Sequence, residues 1–107
     1  MENINSKPDI FARYTEAKYT KFQKWLNTPH GRNVYGMFKK FSEVYRSAGH
    51  DHCGANLVGN RVRWETDVGD YTGFKINNDF LPMLARQLVV DDPTFDGFFN
   101  FHDGKDN

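Results

Sequence analysis

The sequence predicts a mainly helical α+β domain of winged helix-turn-helix type, with about four helices and a short β-hairpin or single strand. Three observations predict it. Two amphipathic stretches are followed by a tight corner, "AGHDHCG" at 48–54. A third helical stretch, "GANLVGNRVRWETDV", leaves that corner. Helical spacing then gives way to turn chemistry in "VGDYTGFKINND", where Phe74 and Ile76 alternate with Lys75 and Asn77. In that topology the third helix is the one offered to a DNA major groove, and the hairpin is the wing.

Residues 1–7 are polar and read as a flexible N-terminus, 8–100 as one domain, and 101–107 as an acidic tail. A chain of 107 residues buries one thin core, so its ten Phe, five Tyr and two Trp must supply much of the buried area. Pro8 and Asp9 open a helical pattern to residue 27, in which Phe11, Tyr14, Lys18, Phe22, Trp25 and Leu26 recur at three- and four-residue spacing. "NTPHG" at 27–31 breaks it. The second helix, about Arg32 to Ala48, carries the clearest stripe: Val34, Met37, Phe38, Phe41, Tyr45 and Ala48, with Gly49 as its stop. In the third, Leu57, Val58, Val62 and Trp64 are expected to face inward, and Gly59 implies close packing or a flexible first turn. The fourth runs from about Asp79, as N-cap, to Val90, with Pro82 in its first turn. Phe95, Phe98 and Phe99 pack back to close the fold.

The formal net charge is zero, but its parts are segregated. Residues 1–50 carry six Lys and three Arg against three Glu and one Asp, a net +5; residues 51–107 carry two Lys and three Arg against nine Asp and one Glu, a net −5. Such asymmetry predicts a basic and an acidic face, each able to steer a charged partner. Balanced total charge argues against strong non-specific DNA binding. No signal peptide or apolar membrane span is visible, and one cysteine cannot form an intramolecular disulfide. The expected place is the cytoplasm, with no membrane partner.

"AGHDHCG" crowds His50, His52 and Cys53 without the second ligand cluster that a structural zinc site needs, so no metal is expected. Cys53 lacks a base clearly held beside it, and the corner reads as a polar turn. No paired carboxylates, phosphate-binding glycine loop or Ser-His-Asp pattern appears, so neither an enzyme nor a cofactor is expected. "NRVRWE" at 60–65 carries residue types that read bases, Arg for guanine and Asn for adenine. Its structural alternative pairs one Arg with Glu65 and uses Trp64 as a core anchor. A DNA-binding surface would then comprise Asn56, Asn60, Arg61 and Arg63, Lys75 on the wing, and lysines such as Lys39 and Lys40 on phosphates. The alternative is a protein-binding inhibitor of a host factor, acting through Asp91, Asp92, Asp96, Asp103 and Asp106 as a mimic of nucleic acid.

The ordered set "NVYGMFKKFSEVYRSAG", "GANLVGNRVRWETDV", "GFKINND", "PMLARQLVVDDP" and "DGFF" resembles a group of small phage and prophage proteins, over roughly residues 33–100. The resemblance implies a phage origin, hence a bacterial host's cytoplasm, and a winged-helix topology. It implies no activity. The chain departs from that pattern at His50, Asp51 and His52, where the relatives carry Lys and Arg, and in its N-terminal helix.

Overall fold

The computed structural model describes residues 7–68 and 78–99. Among them the fold is mainly helical: α1 (Glu16–Leu26), α2 (Pro29–Ser47), α3 (Ala55–Val68) and α4 (Leu81–Asp91), with single 3-10 turns at Asp9–Phe11, Asn78–Phe80 and Pro93–Phe95. No strand forms among the described residues beyond one isolated parallel bridge, Cys53 to Phe99. The proposed wing, with Lys75, lies outside the described residues, as does the tail with Asp103 and Asp106.

The N-terminal segment corrects one expectation. Pro8 is extended and opens only a 3-10 turn; the helix itself begins at Glu16, capped by Thr15 Oγ1, which accepts from Lys18 N at 3.1 Å. Hydroxyl caps are favoured there because they satisfy an amide that has no intrahelical partner. The turn before it folds Phe11 back onto Tyr19 and Phe22, with ring centroids at 5.0 and 6.1 Å, and a continuous helix from residue 8 would not make that return.

The break between α1 and α2 is also tighter than the sequence implied. Thr28 caps α2, accepting from Gly31 N at 2.9 Å while donating to Trp25 O at 2.6 Å, and Pro29 occupies the first turn, where its missing N–H costs nothing. Gly31 therefore lies inside α2, which starts at Pro29 rather than near Arg32. A Cβ there would stand 2.0 Å from the Trp25 carbonyl oxygen and 2.9 Å from Leu26 Cα, both backbone atoms. The two helices cross this closely only because residue 31 has no side chain.

α4 is the hydrophobic centre. Leu81, Met83, Leu84, Ala85 and Leu88 are buried, and α3, α2 and all three 3-10 turns pack on it. Its N-cap position is Phe80, not Asp79, and no side chain caps it. Phe80 instead meets Phe22 and Trp25 at 5.4 and 4.9 Å, so aromatic packing fixes the helix start. Gly59 of α3 allows the approach of Leu81, whose Cδ2 would lie 2.6 Å from a Cβ at that position. Close packing, not a flexible turn, is its reason.

Arg86, 1% exposed, is the buried charge of this core. Its guanidinium donates to Tyr14 Oη at 2.9 Å and to Pro82 O at 3.3 Å and lies 5.2 Å from the Tyr14 ring. Such contacts are what make a desolvated cation tolerable. A polar chain then ties three helices: Gln23 Nε2 donates to Gln87 Oε1 (2.9 Å), Gln87 Nε2 to Asp91 Oδ1 (3.2 Å), and Tyr35 Oη to Asp91 Oδ2 (2.5 Å).

Two outcomes follow from this packing. Gly31→Ala should lower stability by about 1–3 kcal/mol in urea denaturation, despite the better helix propensity of Ala. Tyr35 is held neutral, first by burial, then by its bond to Asp91 and the charges of Asp91 and Asp92, so its pKa is raised well above the ordinary value. A raised folded pKa contributes stability that is full below about pH 10 and is lost as pH rises above it. Wild type should therefore lose stability on the alkaline side, and Tyr35→Phe should flatten that loss in denaturation curves between about pH 9 and 11.

Candidate functional site

The corner at 48–54 fixes how α3 leaves α2. Gly49 takes φ +99°, and Tyr45 O accepts from His50 N at 3.2 Å, closing α2. Cys53 N then donates to Phe98 O at 2.8 Å, and His52 Nδ1 lies 3.2 Å from Gly97 O. The C-terminal segment is thus fastened to the corner, with Phe95, Phe98 and Phe99 forming a ring cluster below it at 5.2–6.1 Å separations. Arg46 rivets the same segment to α2: it lies 3.7 Å over the Phe95 ring and donates to Thr94 Oγ1 and Glu43 Oε1.

Within that corner Cys53 is buried, and burial pushes its thiol pKa up, which disfavours the nucleophilic thiolate. His50 and His52 are exposed; His50 sits edge-on to Tyr45 at 5.7 Å. No three His, Cys, Asp or Glu residues gather to hold a metal among the described residues. The corner is a turn whose side chains hold the chain together.

α3 presents a different face from the one expected. Val58, Gly59 and Val62 are buried, but Leu57 is 48% and Trp64 63% exposed. The physical reason is angular. At 3.6 residues per turn, a face centred on Val58, Gly59 and Val62 leaves Leu57, Asn60 and Trp64 pointing the other way. An apolar stripe at i and i+7 was legible in the sequence, but its inward assignment followed the residue type rather than the angle. Val44 of α2, also 45% exposed, lies three residues from Phe41, whose ring Arg61 covers at 4.6 Å.

The residues assigned to base reading divide. Asn56 and Asn60 are exposed. Arg61 is half-buried and occupied: Nε donates to Glu65 Oε2 at 3.0 Å, a Tyr45 bond adds to it, and these hold its pKa above the ordinary value. Arg63 Nη1 donates to Asn60 Oδ1 at 3.2 Å. Arg61 and Arg63 together with Glu65 and Asp67 leave α3 formally neutral. Lys39 and Lys40 are exposed on α2, and Lys40 lies 5.7 Å from the same Phe41 ring that Arg61 covers.

The acids assigned to a protein-binding face divide too. Asp91 serves the Gln87–Tyr35 chain. Asp92 caps the Pro93–Phe95 turn, accepting from Thr94 N and Oγ1, and its carboxyl is held below the ordinary range first by that side-chain bond, with Arg46 and Lys39 assisting. Asp96 is exposed beside an open cleft of about 300 Å³ lined by Arg46, His50, Asp51, Thr94 and Phe98. Two of these three acids thus have structural tasks.

No family model, curated protein or solved structure matches this chain. No helix among the described residues is long and apolar enough to cross a membrane.

Because Trp64 is largely exposed, Trp64→Ala should cost no more than about 0.5 kcal/mol, whereas Phe22→Ala, in the core, should cost about 3–5 kcal/mol. Parallel urea titrations of the two variants check the contrast.

Proposed function

We infer that this chain is a non-catalytic binding module that engages a protein partner through the outer face of α3. The supporting observation is the solvent exposure of Trp64 and Leu57 on one side of a neutral, internally ion-paired helix. Apolar side chains exposed together on one face mark interaction sites, and Trp is among the residue types most enriched where a few side chains dominate binding energy. Arg61, set on Phe41 and flanked by Glu65, supplies a rigid polar edge to that face. The phage resemblance, taken with this reading, makes a host factor the partner class that an inhibitor would meet in a host cytoplasm.

Nucleic acid is the second reading, favoured by Asn56 in the first turn of α3 and by exposed Lys39 and Lys40. A winged helix-turn-helix, with its wing in "VGDYTGFKINND", belongs to this reading. It is weaker because Arg61 and Arg63 spend donors within the helix and α3 carries no net charge with which to neutralise phosphates.

Affinity capture from a bacterial lysate, run with wild type and Trp64→Ala, separates the two when paired with fluorescence anisotropy on duplex DNA. The protein-binding reading predicts a retained protein, a second copy included, whose retention falls about tenfold or more in Trp64→Ala, and no saturable DNA binding at low salt. Unchanged capture by the variant, with DNA binding that weakens steeply with salt, would overturn it.

A further inference from the structure

We propose that the outward face of α1 is a second contact surface, apart from α3, and that its occupant is an acidic segment of a partner protein held by Lys21 and Lys24. The ground for it is what folding leaves of the charge asymmetry. α1 carries three Lys against one Glu. Lys18 lies 4.0 Å from Asp79, and Glu16 lies 3.9 Å from Lys7. On α2, Arg46 pairs with Glu43 at 3.0 Å, and Lys39 acts on Asp92. Lys21 and Lys24, both exposed, have no acidic partner among the described residues. Folding thus cancels part of the basic excess of the N-terminal half and leaves these two ammoniums, neighbours on the helix surface, uncancelled.

Their placement coincides with a concavity. Ala17, Thr20, Lys21 and Lys24 recur at i, i+3, i+4 and i+7, so they share the helix face opposite the buried Phe22. With Glu16 they line an open groove of about 500 Å³, larger than the corner cleft. The small side chains of Ala17 and Thr20 keep its floor low, and lysine stems make apolar walls beneath charged tips. Charge complementarity then selects the occupant: carboxylates for the tips, with small or apolar groups for the floor. An acidic peptide offers both. A nucleic-acid backbone offers charge to the tips but leaves the floor unmatched, and its affinity rests on neutralising more phosphates than two lysines reach. Glu16 brings the opposite sign to the N-terminal end of the groove, which confines the partner's carboxylates to the Lys21–Lys24 end.

The experiment is fluorescence anisotropy of the full chain with a fluorescein-labelled peptide of alternating Glu and Ala, at low and moderate salt, with the unlabelled peptide and duplex DNA as competitors. Wild type should bind saturably, and more weakly as salt screens the exposed charges. Lys21→Glu/Lys24→Glu should lose about tenfold or more in affinity with unchanged circular dichroism, both positions being exposed. Lys39→Glu/Lys40→Glu makes the same change in net charge on α2 and should stay within about twofold of wild type at moderate salt. Trp64→Ala should bind as wild type does, which separates this surface from the α3 face. Absence of saturable binding overturns the proposal, and so does an equal loss in the two double variants, the mark of unspecific charge attraction. A loss in Trp64→Ala would move the peptide to α3, and displacement by DNA at lower concentration than by unlabelled peptide would make nucleic acid the occupant. Either result overturns the assignment of α1.

Discussion

The burial of α4 is the constraint on which the rest of the molecule depends. Its five apolar core side chains and the Arg86 guanidinium are all removed from water, and each large apolar side chain among them contributes about 1.5–3 kcal/mol. The other helices are arranged by the need to cover it. α3 reaches it through Gly59, where Leu81 would collide with any side chain. The N-terminal turn reaches it through Phe11 and Tyr14, and Tyr14 also receives Arg86. Once the inner face of α3 is committed to α4, its outer face is fixed by the helical period, and Leu57 and Trp64 have nowhere to go but outward.

The C-terminal segment plays a second, smaller part. Cys53 and Phe98 share a backbone hydrogen bond, and Arg46 holds the Pro93–Phe95 turn against α2. The polar corner between α2 and α3 is thereby pinned from below by three phenylalanines and from the side by an arginine. Its histidines, aspartate and cysteine, which draw attention as candidate chemistry, are arranged around a backbone function. The thiol is the clearest instance, since the burial that makes Cys53 useful to packing also raises its pKa.

Much of this was legible in the residues. The stripe Val34, Phe38 and Phe41 marked the core side of α2, Gly49 marked its end, and Phe95, Phe98 and Phe99 marked the closing cluster. Gly59 left close packing and a flexible first turn open, and the approach of Leu81 decides for packing. Three features were not legible, each for a physical reason. Thr15 and Thr28 are caps whose role depends on which turn follows them, and the apolar spacing of Phe11, Tyr14 and Phe22 runs through a real break. Phe80 displaced Asp79 as the start of α4 because aromatic contacts outweigh a side-chain cap. Trp64 was placed inward because tryptophan is commonly core, and only the angle set by Val58, Gly59 and Val62 decides otherwise. Of the candidate binding residues, the sequence identified Asn56 and Asn60 as surface positions. It could not distinguish an arginine that faces a ligand from one that, like Arg61, is already bound to Glu65 and laid on Phe41.

Which side of α3 faces water decides whether Leu57 and Trp64 are available to a partner. Acrylamide quenching of tryptophan fluorescence tests this most directly, using a Trp25→Phe variant so that Trp64 reports alone, at sub-micromolar concentration. Exposure of Trp64 in the single chain predicts red-shifted emission and quenching close to that of free tryptophan. Blue-shifted emission with strong protection from quencher in the same dilute sample would place Trp64 in the core and contradict the assignment of the α3 outer face.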